Sequence, residues 1–115
     1  MAAPDLAEAN FSLYDILEDM RRSAPLLIAE RELVRVYAFL IGCQYALGRQ
    51  GFTFRHAEPN FWRFHDWVAQ RLGYTSSTSG WYNMIRDGCG TEQEAFDRFY
   101  GLLAEFRATA GTVTT

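Results

Sequence analysis

The stretch TEQEAFDRFYGLLAEF, residues 91–106, contains the clearest structural signal in the sequence. Thr91 followed by Glu94 predicts a capping box at a helix N-terminus. The charged side chains Glu92, Asp97 and Glu105 lie mainly on one side of this helix. The apolar side chains share the opposite face at helical spacing, which predicts an amphipathic helix of a packed core. They are Ala95, Phe96, Phe99, Tyr100, Leu102, Leu103 and Phe106.

The N-terminal third predicts a second amphipathic helix. Ser12 is suited to cap its free backbone amides, with Asp15 three residues further on, and Pro25 limits its end. The apolar residues 13, 16, 17 and 20 lie within a narrow arc, whereas Asp15, Glu18 and Asp19 form an acidic outer face.

The rest of the sequence predicts three further helices, over residues 31–49, 59–72 and 81–87. The helix over residues 31–49 has apolar side chains around more than half of its circumference, so we expect it to be the central, most buried helix. Residues 52–59 are predicted as a loop, and the polar stretch GYTSSTSG, residues 73–80, as a flexible loop.

These elements predict an all-α fold, a compact single-domain bundle of about five helices, one of them short. The length of 115 residues and the mass of 13.2 kDa match one domain. We divide the chain into an N-terminal extension over residues 1–11, a helical domain over residues 12–108 and a frayed tail over residues 109–115.

Charge and hydropathy limit the classes of partner. The formal net charge is −3 and the pI is near 5.3, whereas a general nucleic-acid binder needs a basic face. No apolar run reaches the roughly 18 residues of a membrane span, and the first residues lack the features of a secretory signal. We therefore expect a cytoplasmic protein that binds neither nucleic acid nor membrane. Residues 1–30 hold six acidic residues and two arginines, so the negative charge is concentrated there.

Two residues are candidates for chemistry. Cys89 lies between two glycines just before a helix N-terminus, so it is either a thiolate stabilised by the helix dipole or a structural turn residue. His65 lies in the apolar arc of its helix. It is either a core histidine with one hydrogen bond or a catalytic base. The sequence has no CxxC pair and no Cys/His cluster with zinc spacing. We expect no catalytic residue, no metal and no cofactor.

Aromatic residues beside the flexible loop are candidates for binding. Trp81 and Tyr82 either pack into the core or anchor a partner, since tryptophan and tyrosine are prominent at interfaces. Trp67 presents the same choice. Combined with the acidic face of the first helix, these give a predicted partner-binding set. The set consists of Asp15, Glu18, Asp19, Trp81 and Tyr82.

Four stretches together resemble a known group of proteins. They are SLYDILEDMRRSAPLLIAERELVRVYAFLIGCQYALGRQG (12–51), FWRFHDWVAQRLG (61–73), SGWYNMIRDG (79–88) and EAFDRFYGLLAEF (94–106). The pattern is similar to small bacterial immunity proteins encoded beside polymorphic or contact-delivered toxins. The resemblance implies an all-helical cytoplasmic protein, not an enzyme, that binds and neutralises one cognate toxin domain by protein–protein interaction.

The chain departs from this pattern at two places. The segment SAPLL, residues 23–27, replaces the usual Arg-Pro-x-Met-Tyr, and Cys43 replaces a tyrosine. The alternative class is a small helical enzyme or ligand-binding module that uses Cys89 or His65. A toxin-like gene immediately upstream would favour the immunity function, whereas a metabolic operon would favour the alternative.

Overall fold

The computed structural model describes residues 6–75 and 80–113, which form a mostly helical fold with a small parallel sheet. Its elements are β1 (Ala7–Ser12), α1 (Leu13–Arg22), α2 (Ala24–Leu27), α3 (Leu33–Arg49), β2 (Phe52–Arg55), α4 (Phe64–Leu72), α5 (Trp81–Asp87) and α6 (Glu92–Val113). A 3-10 turn, Phe61–Arg63, leads directly into α4. Residues 76–79 of the predicted flexible loop lie outside the described residues, as do residues 1–5 of the predicted extension and residues 114–115 of the predicted tail.

Local sequence signals set the starts of α1 and α6 as predicted, whereas α3 and α4 begin at Leu33 and Phe64, later than the predicted residues 31 and 59. The Asp15 amide donates to the Ser12 hydroxyl (3.2 Å) and the Ser12 amide donates to the Asp15 carboxylate (2.8 Å), which completes the capping box of α1. At α6 the Glu94 amide donates to the Thr91 hydroxyl (3.1 Å). The Glu94 carboxylate, however, accepts from the Gly90 amide (3.0 Å) and not from Thr91. The predicted box at α6 is therefore only half formed.

The predicted helical domain is confirmed as mostly helical, but the fold is not purely all-α, because residues assigned to the extension and to a loop form two strands. β1 and β2 pair in parallel, with Ala7 opposite Phe52 and Glu8 opposite Thr53. Both segments, AEANFS and FTFR, alternate apolar and polar residues as strands do, but they are short and most of their side chains are exposed. Parallel strands are also joined by a long crossover, so no hairpin turn in the sequence indicates the pair.

The short helix α2 is a second difference. Pro25, which was expected only to end the first helix, lies in the first turn of α2, where its missing N–H removes no helical hydrogen bond. The described residues therefore contain six helices instead of about five.

The core is centred on aromatic side chains of α4 and α6. Phe64, Phe96 and Phe99 are completely buried. The Phe64 ring contacts five other aromatic rings, with centroids 5.2 to 6.1 Å apart, which are those of Phe61, Trp67, Trp81, Phe99 and Phe106. Such edge-to-face and offset pairs add to the stabilisation that burial alone provides. Through them Phe64 joins α4, α5 and α6.

Helix α3 differs most from its prediction, since it is not the central buried helix. Its buried side chains are Leu33, Val36 and Leu40. Its exposed large side chains are Val34, Tyr37, Ile41 and Tyr45, with exposed fractions of 42%, 39%, 50% and 70%. A helix that is apolar around most of its circumference does not indicate in its sequence which side faces the core. The tertiary structure leaves half of this apolar surface open.

Replacing Phe64 with alanine should lower the free energy of unfolding by about 3–5 kcal/mol, because it leaves a cavity among five rings. Trp62, two residues earlier, is 70% exposed and provides the matched control. Trp62→Ala should change the free energy of unfolding by only about 0.5 kcal/mol. Urea denaturation measures both variants, and similar losses for the two would contradict the packing described above.

Candidate functional site

The acidic face predicted on α1 is partly neutralised by neighbouring arginines. Glu18 forms ion pairs of 2.5 and 3.0 Å with the two arginines that end the helix. Their hydrogen bonds hold the pKa of Glu18 below its usual range. Asp15 belongs to the capping box and lies 3.3 Å from the guanidinium of Arg55 on β2. Asp19 is exposed and is the member of the face that remains without an ion-pair partner among the described residues.

Trp81 and Tyr82 lie at the start of α5 and pack against Tyr37 of α3. Their ring centroids are 5.5 and 5.4 Å from that of Tyr37. Trp81 also stacks on Phe99 at 4.9 Å, so its ring belongs partly to the core. In the described part of the chain, no hydrogen bond, ion pair or ring contact joins either residue to the acidic face of α1. The predicted binding set therefore forms two separate groups.

Tyr82 belongs to a hydrogen-bonded junction centred on Glu92, the first residue of α6. The Glu92 carboxylate accepts from the Tyr82 hydroxyl (2.5 Å), the Arg86 Nε (2.9 Å) and the Val34 amide (2.8 Å), so it links α3, α5 and α6. Burial raises the pKa of Glu92, but the three hydrogen bonds outweigh it and hold this pKa below its usual range. Burial and the adjacent carboxylate raise the pKa of Tyr82 to about 12.

Beside this junction, α3, the 3-10 turn and α5 enclose an apolar recess of about 190 Å³. We define the aromatic groove as the part of this recess formed by Tyr37, Ile41, Trp62 and Trp81. The remaining lining residues are Leu13, Leu40, Gln44 and Phe61. None of these eight side chains has a carboxylate, thiol, imidazole or cationic group. The groove therefore offers shape and apolar contact to a bound molecule.

A larger cavity of about 460 Å³ extends from the groove toward β2. The two recesses share the lining residues Leu13, Gln44, Phe61 and Trp62. Polar groups at the larger cavity already bond to the chain itself. The His56 amide donates to the Glu8 carboxylate (2.9 Å), and the Arg55 guanidinium donates to the Asn10 carbonyl (3.2 Å). Trp62 thus lines both the apolar groove and the cavity with a polar rim.

Trp62 and Tyr45 are each 70% exposed, and the sequence interpretation selected neither of them. On a helical wheel of α3, Tyr45 lies roughly opposite the buried Leu40, so the sequence contains part of the information that predicts the exposure of Tyr45. Trp62 lies in a 3-10 turn whose orientation depends on how α4 packs. Trp67, in contrast, packs against Phe64 and Phe106, with centroids 6.1 and 5.6 Å apart, so its packing interpretation is confirmed.

Cys89 and His65 lie on different elements and share no hydrogen bond within the described residues. Cys89 lies in the turn between α5 and α6, where its carbonyl accepts from the Arg86 guanidinium (2.8 Å). His65 lies on α4 and is only half-buried. Cys43 and Cys89 are both free thiols, and burial raises the pKa of Cys43. Across residues 6–75 and 80–113, no group of three or more His, Cys, Asp or Glu side chains could hold a metal ion.

No family model, curated protein or solved structure matches this chain. Among the described residues, no helix has both the length and the apolar character that crossing a membrane requires.

The Glu92 junction should make stability sensitive to acid. Because the pKa of Glu92 is lower in the folded state than in the unfolded state, its contribution is present above the ordinary glutamate pKa and is lost as the pH falls through the folded value. Glu92→Gln should cost about 1–3 kcal/mol near pH 7 and flatten the decline of stability below about pH 5.

Glu105→Gln is the control for this experiment, because Glu105 lies in α6 like Glu92 but forms an exposed ion pair, with Arg71 of α4. Exposed pairs contribute little, so its unfolding curve should stay within about 1 kcal/mol of the wild type. Thermal unfolding followed by circular dichroism at several pH values compares the two variants. Indistinguishable pH profiles would contradict the role given to Glu92.

Proposed function

We propose that this chain is an immunity-type protein that binds one cognate bacterial toxin domain and neutralises it by protein–protein contact. The observation that carries the proposal is the exposed apolar surface formed by the aromatic groove together with Tyr45. Trp62 and Tyr45 expose 70% of their surface, and Tyr37 and Ile41 lie beside them. Apolar patches of this kind mark interaction sites, and tryptophan and tyrosine dominate the energy of many interfaces.

The composition of the groove favours binding over catalysis. Its lining side chains supply contact area and a recess for an apolar side chain of a partner, and they include no carboxylate, imidazole, thiol or amine, which are the usual acid–base and nucleophilic groups. An inhibitor needs a surface of about 800 Å² that covers the toxin or holds it in an inactive form. The resemblance of the sequence to immunity proteins supplies the toxin as the partner.

The acidic face of α1 has a separate role in this proposal. Toxins that attack nucleic acids or nucleotides are expected to present basic sites, and complementary charge speeds encounter more than it raises affinity. Asp19, which has no ion-pair partner among the described residues, would contribute most to steering the toxin, whereas two arginines balance the charge of Glu18. The proposal places the protein in the cytoplasm and requires no cofactor, metal, nucleic acid or membrane.

Trp62→Ala should weaken binding of the toxin domain by about 30-fold or more, mainly through faster dissociation, because it removes an exposed aromatic anchor. The toxin domain is taken from the neighbouring gene, and binding is measured by biolayer interferometry and by rescue of growth on co-expression. Leu26→Ala is the control, since Leu26 is 87% exposed on α2 and lies outside the groove. Equal binding by wild type and Trp62→Ala would contradict the assigned surface.

The alternative, a small enzyme or ligand-binding module that uses Cys89 or His65, predicts a different result. Cys89→Ser should leave toxin binding and growth rescue intact under the immunity proposal. A folded Cys89→Ser protein that had lost both toxin binding and growth rescue would instead favour the alternative.

Reversing the charge of Glu18 and Asp19 to arginine should slow association with the toxin and flatten its dependence on salt. The dissociation rate should change much less than it does for Trp62→Ala. Association rates measured from about 50 to 300 mM salt test this expectation, since screening acts over this range. Unchanged association rates in a folded double variant would show that α1 does not take part in the encounter with the toxin.

A further inference from the structure

Two rows of side chains run along the exposed side of α3. Each row repeats every fourth residue and therefore follows one i±4 ridge of the helix. The large ridge consists of Tyr37, Ile41 and Tyr45, and the small ridge of Ala38, Gly42 and Ala46. The two ridges are adjacent, because Ile41 and Tyr45 each lie three residues after a member of the small ridge, and residues at this spacing are neighbours on a helix surface. A shallow groove therefore runs beside a row of large side chains on the same face.

The described part of the domain does not cover the small ridge. Ala38, Gly42 and Ala46 are exposed, and a Cβ atom added to Gly42 would meet no other atom within 4 Å. Glycine inside a helix weakens it relative to alanine, so Gly42 has a cost without an internal packing reason. Residues 36–48 also contain no charged side chain. An exposed helix face of this length without charge is suited to contact with an equally uncharged surface.

We propose that this face binds the same face of a second copy of the chain. When i±4 ridges of two helices interdigitate, the helices cross at about −50°. A two-fold axis at the crossing point, near Ile41 and Gly42, then places the large ridge of each copy along the small ridge of the other. The pairing is isologous, so it closes at two copies. Arg35 and Arg49 lie toward the two ends of α3, where crossed helices diverge and like charges stay apart.

The available area fits a weak but specific dimer. Tyr37 and Tyr45 are 39% and 70% exposed, which corresponds to about 220 Å² per copy at ~200 Å² for a whole aromatic side chain. Ile41, Val34 and the small ridge add to this, so that two copies cover roughly 900 Å², which is the size of a weak or transient interface. We therefore expect a dissociation constant in the micromolar range.

The dimer does not depend on the proposed toxin binding, but it shares residues with it. Tyr37 and Ile41 belong both to the large ridge and to the aromatic groove. Where the proposed function holds, self-association and toxin binding therefore compete for α3. The small ridge lies on the side of α3 away from the groove, so a change at Gly42 separates the two contacts.

Sedimentation equilibrium of the full chain from about 1 to 500 μM tests the dimer, since interfaces near the lower size limit dissociate in this range. The wild type should move from 13.2 kDa toward twice that mass as its concentration rises. Gly42→Leu fills the small ridge and should raise the dissociation constant at least tenfold. Gly101→Leu is the matched control, because Gly101 is also an exposed glycine inside a helix with nothing within 4 Å of an added Cβ. Both variants should fold, because leucine is a better helix former than glycine.

Three results would overturn the proposal. A wild-type chain that stays monomeric at the highest concentration would show that this face does not bind a second copy. The exposed face of α3 would then bind a different protein. Assembly beyond two copies contradicts the two-fold pairing. A Gly42→Leu variant that dimerises like the wild type, or a Gly101→Leu loss of equal size, places the contact elsewhere. Loss of toxin binding in Trp62→Ala with an unchanged dimer would separate this proposal from the proposed function.

Discussion

The packing of the Phe64 ring joins α4, α5 and α6, and the other elements are arranged around this cluster. Phe64 is completely buried and contacts rings from the 3-10 turn, α5 and α6 as well as from its own helix. Trp81 stacks on Phe99 within the same cluster, and this contact holds the start of α5 against α6. Tyr37 then meets the outer edge of Trp81 and holds α3 beside the cluster. The aromatic groove exists because α3 contacts this cluster along one side only.

Polar interactions near the surface stabilise the same arrangement of helices. The Glu92 carboxylate of α6 accepts hydrogen bonds from α3 and α5, so it joins the helices that the aromatic rings also connect in the core. The Tyr100 hydroxyl donates to the Leu17 carbonyl (2.6 Å) and connects α6 to α1. The charges of α1 are mostly balanced locally by arginines, which leaves Asp19 as its unpaired acidic group among the described residues. The exposed face of α3 between residues 36 and 48, in contrast, has no charged side chain, and the described residues leave it open.

The division of aromatic residues between core and surface underlies both proposals. Phe64 and Phe99 stabilise the domain, whereas Trp62 and Tyr45 have little contact with it and remain available to a partner. Large apolar side chains at high exposure cost free energy in water, and we propose contact with another protein as the reason for their exposure here. A toxin domain and a second copy of the chain are the two occupants that we propose for overlapping parts of this surface.

The sequence by itself determined the features that depend on neighbours along the chain. The capping box of Ser12 and Asp15, the bounds of α5 and the apolar face of α6 follow from hydrogen bonds and spacing within a few residues, and all three agree with the structure. It also pointed to Trp81 and Tyr82 beside the groove, although not to the more exposed Trp62. The parallel strands, the open side of α3 and the groove were decided by the tertiary structure. They depend on contacts between residues far apart in the chain, such as Tyr37 with Trp81, and the pattern within any single segment does not contain that information.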